Sequence, residues 1–199
     1  PARPARGRSG SAREVALEVI TRVRRDDAFA NLLLPELLET ADLDRRDAGF
    51  ATALTYGTLR LQGRYDAMIA ACTDRPLERI DAAVLDVLRL GAHQLMGMRV
   101  AQHAAVSTTV DLATTSCGRG AATFVNAVMR RLSGRDLDSW MDELRRDAPD
   151  KTAALARTQS HPEWIVKALR QALVTHGRSD EELEAILAAD NADPEVALC

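Results

Sequence analysis

Apolar residues in this chain recur at three- and four-residue intervals, and no apolar–polar alternation of strand length interrupts them. Ser11-Ala12-Arg13-Glu14 has the spacing of a capping box, and Val15, Val19, Ile20 and Val23 then form one stripe, so a helix is expected to about Arg25. Pro35 cannot donate within a helix interior and is expected in the first turn of a short helix, with Leu32 to Leu34 packed as its entry. Asp44 caps a long helix from Arg45, with Phe50, Leu54 and Leu61 inward. Gly57 is expected where another helix crosses closely, Gly63 where the segment divides in two, and Arg75-Pro76 at the end of the second half.

Asp81 caps the next helix, whose wide face of Val84, Leu85, Leu88, Leu95 and Met96 suits the centre of a bundle. A turn leads to a helix over His103 to Thr115. After Cys117-Gly-Arg-Gly120 a further helix places Phe124, Val125, Val128, Met129 and Leu132 on one side, with Asn126 among them. Leu137, Trp140, Met141 and Leu144 predict a short helix. Pro162 is expected at the first position of a helix through WIVKALRQAL, and Ser179 with Glu182 as the capping box of a last one, to about Asp190. The expected fold class is all-α.

Composition adds limits to this picture. With 46% hydrophobic and 28% charged residues the chain is ordinary globular material, and no apolar run is long enough to span a membrane or serve as a signal peptide, so no membrane partner and a cytoplasmic location are expected. Cys72, Cys117 and Cys199 are odd in number and widely separated, which favours reduced thiols. His93, His103, His161 and His176 are isolated, so no metal is expected. Gly118-Arg119-Gly120 follows a helix and lacks a downstream Gly-Lys-Ser, so it reads as a turn and not a phosphate loop. His103 is expected in a turn role, and Asn126 as a hydrogen-bond partner of a neighbouring helix end. Neither Cys72 nor Cys117 has a general base nearby in sequence, and Asp26-Asp27 reads as solvated charge.

The net charge of −3 conceals an asymmetry. Residues 1–26 carry Arg3, Arg6, Arg8, Arg13, Arg22, Arg24 and Arg25 against Glu14, Glu18 and Asp26, whereas residues 179–199 are acidic without a basic residue. Lys151 and Lys167 are the only lysines, so the positive charge is almost wholly guanidinium, which grips phosphate bidentately and stacks on bases. A high-GC coding bias accounts for part of this.

Taken together, REVALEVITRV, ANLLLP, RDAGFATALTYGTLR, VLRLGAHQLMGMRVAQHAAVSTTVDLA and FVNAVMRRL resemble a NusB-like RNA-binding helical bundle over residues 11 to about 133. Two kinds of protein share that pattern: free antitermination factors, and the N-terminal domain of bacterial 16S ribosomal RNA cytosine-C5 methyltransferases of the Sun/Fmu type. The continuation through SHPEWIVKALRQAL and LAADNADPEVALC is similar to the second kind. One departure is Val100-Ala101-Gln102, where the family commonly has proline before His103.

The methyltransferase resemblance implies a flexible basic arm over residues 1–10, a NusB-like RNA-binding domain over 11–135, and a helical linker over 136–199 leading to a methyltransferase domain absent from this chain. It implies S-adenosylmethionine and two cysteines in Pro-Cys and Thr-Cys-Ser contexts for that missing domain. None of the three cysteines here has either context, so neither a cofactor nor catalysis is expected of this segment. The expected partners are 16S ribosomal RNA and the chain's own C-terminal methyltransferase domain. Candidate phosphate contacts are Arg6, Arg8, Arg13, Arg22, Arg24 and Arg25, with Arg60, Arg130 and Arg131 secondary. With 4% aromatics, shape and phosphate should outweigh base reading. The alternatives are an antitermination factor binding leader RNA and a protein-binding helical adaptor without RNA affinity.

Overall fold

The computed structural model describes residues 10–192, and the regular structure there is helical throughout. The helices are α1 (Ala12–Asp26), α2 (Ala30–Ala41), α3 (Arg45–Arg60), α4 (Gln62–Ala71), α5 (Ala82–Met96), α6 (Gln102–Ser116), α7 (Arg119–Leu132), α8 (Leu137–Arg146), α9 (Lys151–Thr158), α10 (Glu163–Thr175) and α11 (Glu181–Asp190), with a 3-10 turn at Leu77–Arg79. Packing divides them into two units. One holds the residues up to Leu59 together with Ile69–Arg135; the other holds Arg60–Met68 together with the residues from Asp136 onward.

In the first unit the caps act as the sequence implies. The Ser11 hydroxyl accepts from the Glu14 amide at 3.3 Å while the Glu14 carboxylate accepts from the Ser11 amide at 2.7 Å. Asp44 accepts from the Asp47 amide at 2.8 Å, and Asp81 from Ala83 at 2.9 Å. Val15 and Val19 of α1 pack with Leu33 and Leu34 of α2 and Ala51 of α3 in one apolar cluster.

Pro35 departs from expectation: it lies inside α2, not in its first turn. The helix starts earlier because Leu33 and Leu34 are buried only if that turn is already helical. Pro35 faces solvent, where the carbonyl it leaves unpaired can bond water. Leu32, on the same exposed side, is 68% accessible and does not pack as expected.

Helix α5 is the axis of this unit, packing against α1, α6 and α7. Every residue from Val84 to Gln94 is buried, including Asp86, Arg89, His93 and Gln94, so the helix lies at the centre of the bundle as its wide apolar face predicts, with its polar residues buried too. Two glycines allow the close approaches. A Cβ at Gly57 would stand 2.1 Å from His93 Nε2, as the expected crossing requires. A Cβ on Gly91 would stand 2.6 Å from Met129 Sδ of α7 and 2.7 Å from Thr109 Cγ2 of α6. Gly91→Ala is therefore expected to destabilise the unit by about 1–3 kcal/mol by overpacking, read as a lowered midpoint in urea unfolding. An unchanged midpoint would mean that α6 and α7 can separate at no cost.

The second unit forms a core from Leu155, Ala156, Val166, Leu173, Leu183 and Leu187. Trp140, in α8, is fully buried. Asp136 and Asp150 cap α8 and α9 by accepting from Ser139 and Ala153 at 2.9 and 2.8 Å. Helix α9 is absent from the sequence expectations. Arg64 belongs here too, donating to the Thr158 carbonyl at 2.7 Å.

Four smaller expectations fail. The α3–α4 break falls at Leu61, and Gly63 lies within α4, where a Cβ would stand 3.3 Å from Ser160 Oγ. Helix α4 ends at Ala71, before Arg75-Pro76. Pro162 is the N-cap of α10, one position earlier than expected. Ser179 forms no capping box: the N-cap of α11 is Asp180, and the Glu182 carboxylate is shared between Arg178, at 2.6 Å, and the Ser179 amide. Asp180 instead anchors the start of α11: its carboxylate accepts from Lys151 at 2.6 Å and Arg170 at 2.8 Å, which holds its pKa below the usual carboxylate range.

Candidate nucleic-acid interface

Arg6 and Arg8 lie outside the described residues. The four other N-terminal candidates all have partners within the protein. Arg13 donates to Gln94 Oε1 at 2.7 Å, with its guanidinium 4.8 Å from the centre of the Phe50 ring. Burial pushes its pKa down against the pull of Asp47. Arg22 pairs with Glu18 at 2.6 Å, one turn back on the exposed face, and Arg25 with Asp26 at 2.8 Å. Arg24 reaches inward to the fully buried Asp86 at 2.8 Å, where Arg89 also binds at 3.2 Å. Arg24 is thus a structural residue first. Arg24→Ala is expected to lower stability by about 2 kcal/mol. Arg22→Ala, which breaks an exposed pair, should cost less than ~1 kcal/mol. Thermal melts of the two variants check the contrast, and equal losses would sink it.

The arginines at the end of α7 diverge, since successive helical residues point about 100° apart. Arg131 donates to the Cys72 carbonyl at 2.8 Å and lines a groove of about 550 Å³ with Arg75, Arg79 and Phe124. The Arg75 guanidinium lies over the Phe124 ring, 5.6 Å from its centroid. Among the described residues neither Arg75 nor Arg79 makes an ion pair, and Asp74 is the one carboxylate on the lining. Three guanidinium groups face one carboxylate.

Arg130 turns to a second groove, of about 670 Å³, between α6 and α7, and donates to Asn126 Oδ1 at 3.4 Å. His103 and Asp111 line it as well. His103 is the second residue of α6, exposed and not its cap; Asn126 holds the arginine of its own helix and not a neighbouring helix end. A third groove, of about 550 Å³, carries Glu14 and Glu18 beside Cys117, a lining that repels a polyanion. Arg60 closes α3 and belongs to the second unit, where it and Arg64 oppose the upward push of burial on the Tyr65 phenol.

The candidates are therefore not gathered on one surface. Of these three grooves, the one with the largest surplus of positive charge uses Arg75, which the sequence reading treated only as a helix end, and Arg79, which it did not single out. The sequence held little signal for them, because Asp74, Glu78 and Asp81 stand close by and only the fold shows that none of these pairs with either arginine. Among the described residues no group of three or more His, Cys, Asp or Glu side chains could hold a metal ion. None of the described helices is long and apolar enough to cross a membrane.

Comparison with known proteins bears on this arrangement. The NusB family model matches residues 10–134. The chain belongs to the NusB family. All three grooves lie within the region that matches, and the NusB fold is the all-α bundle found here.

Similarity to individual proteins extends past that region into the second unit. A putative methyltransferase of Mycobacterium tuberculosis is 47% identical over 188 residues, which cover 94% of this chain and 40% of that protein. Ribosomal RNA small subunit methyltransferase B of Pseudomonas syringae is 34% identical over 186 residues, 94% of this chain and 38% of that protein. The probable ribosomal RNA small subunit methyltransferase B of Bacillus subtilis is 31% identical over 158 residues, 79% of this chain and 34% of that protein. The NusB-family chain thus spans about 40% of the length of the curated relatives it matches.

Proposed function

We propose that this chain is the RNA-docking N-terminal part of an S-adenosylmethionine-dependent 16S ribosomal RNA cytosine-C5 methyltransferase. The observation that carries the reading is similarity, across the NusB region and the helices beyond it, to proteins named ribosomal RNA small subunit methyltransferase B. The guanidinium-rich groove supports it, because a surface with unneutralised arginines suits a phosphate backbone. Residues 1–10 serve as a basic arm, 11–135 as the RNA-binding domain and 136–199 as a helical bridge to the catalytic domain. Arg6, Arg8, Arg13, Arg22, Arg24, Arg25, Arg60, Arg130 and Arg131 supply phosphate contacts, with Arg130 and Arg131 ahead of the α1 arginines, whose charge is already engaged.

The described residues do not fit S-adenosylmethionine. They are all-helical and offer no strand–turn–helix crevice for a nucleoside cofactor, so cofactor and cytosine chemistry belong to the rest of the whole protein, which works in the cytoplasm.

A salt titration of binding to a small-subunit ribosomal RNA fragment tests the docking role. Affinity is expected to fall linearly on logarithmic axes as salt rises, with a slope of about −0.7 to −0.9 for each phosphate engaged. Absence of binding at low salt would overturn it. The reading frame beyond Cys199 tests the enzymatic half: a stop codon there would favour a free RNA-binding factor.

A further inference from the structure

We propose that the groove between the α4–α5 connection and α7 is a pocket for one unpaired nucleotide of single-stranded RNA, its phosphate held by Arg79 and Arg131 and its base stacked on Phe124 and covered by Arg75. The proposal rests on the RNA-docking reading and narrows it to a place and a kind of strand.

Charge comes first. The α1 arginines each have a carboxylate or amide partner, so an incoming phosphate must compete with it. Arg79 makes no such pair among the described residues, and Arg131 gives one N–H to a backbone carbonyl, which leaves its positive charge uncompensated. Binding here requires no ion pair to break. Arg131 is moreover held in place by that bond to the Cys72 carbonyl, so little side-chain freedom is lost when it meets an anion.

The ring comes second. Phe124 was expected on the buried side of α7, yet it is only half-buried, and the core beneath it is filled by Val125, Val128 and Met129. One face of the ring looks into the basic groove and already carries a planar cation, the Arg75 guanidinium. Arg75 is exposed on a loop and can lift away, so a base would enter between an aromatic face and a guanidinium plane, the stacking arrangement by which unpaired bases are held. Duplex RNA keeps its bases stacked inside the helix and cannot present one to this ring. Phosphate contacts alone would serve a duplex as well as a single strand; Phe124 is what makes the pocket discriminate. Its volume, about 550 Å³, is within the usual range for small-ligand sites.

The test is fluorescence anisotropy of the 199-residue chain with a labelled single-stranded RNA of about 12 nucleotides and with its fully paired duplex. Phe124→Leu is expected to weaken single-strand binding about tenfold and leave duplex binding unchanged, while Phe124→Tyr keeps the ring and the affinity. Arg79→Gln should reduce the salt slope for the single strand by about 0.7. Single-strand affinity retained in Phe124→Leu, or a wild-type preference for the duplex, overturns the pocket while leaving RNA docking intact. Wild-type protein that binds neither RNA overturns both. Should Phe124→Leu melt below the assay temperature, Arg79→Gln, a change at an exposed position, decides: an unchanged slope overturns the proposal, and a slope reduced as stated upholds it.

Discussion

Asp86→Ala is expected to cost the N-terminal unit about 3–5 kcal/mol, the cost of leaving buried charge without its partner. Asp86 has no accessible side-chain surface. Its two oxygens accept from Arg24 at 2.8 Å and from Arg89 at 3.2 Å, with the Thr21 hydroxyl at 3.5 Å. Arg24 can turn outward once released, since a third of its side chain already meets water; Arg89, 9% accessible, cannot. The alanine variant therefore takes the carboxylate away from a guanidinium that stays inside the bundle. At the scale of this unit the loss corresponds to a Tm lower by roughly 10–20 °C, followed by far-UV circular dichroism. A double change, Asp86→Leu with Arg89→Met, should recover most of the loss, because apolar replacements of both partners remove the desolvation cost along with the attraction. A drop below ~1 kcal/mol in the single variant would show that Arg89 is satisfied without Asp86.

Trp140→Ala is expected to have a comparable effect on the second unit, about 3–5 kcal/mol, through the cavity it opens. Trp140 is fully buried on the inner side of α8, together with Leu144. Trp164, the only other tryptophan, is 68% accessible at the start of α10, and its replacement by alanine should stay within ~0.5 kcal/mol. Urea unfolding followed by circular dichroism separates the two. Native Trp140→Ala protein should also emit at longer wavelength than wild type, since the remaining indole is the wet one. Equal midpoints for the two variants would contradict the burial.

The elements most legible in the sequence were those whose apolar stripe and cap coincide. Ser11, Asp44 and Asp81 marked helix starts because each side chain has a nearby amide to accept from and no better partner. Ser179 had the same spacing but failed, since the helix starts one residue later with Asp180 as its N-cap. Helix α9 escaped notice because KTAALART is eight residues of weak periodicity, stabilised by its Asp150 cap and by burial of Leu155 more than by pattern. The central place of α5 was legible, but its buried polar partners were not, for a deeper reason. A periodicity argument sends polar residues to solvent, whereas Asp86 and Gln94 are partnered by residues far away in sequence, at Arg24, Arg13 and Thr109, and Arg89 by Asp86 one turn back on its own helix. The same pairing explains the candidate site. Arginine content pointed to α1, but only the fold reveals which guanidinium groups are already engaged, and so shifts attention to Arg75, Arg79 and Arg131.

The assignment of Arg60–Met68 to the C-terminal unit sets an order for events on the ribosome. Tyr65 and Met68, both buried in the finished protein, gain their unit's remaining residues only from Asp136 onward, about 70 residues later, a wait of roughly 4–14 s at ordinary elongation rates. During that interval the apolar side chains of Leu61, Tyr65 and Met68 wait for the rest of their unit while the flanking stretches assemble with each other, and it is there that a chaperone or a protease would find the nascent chain.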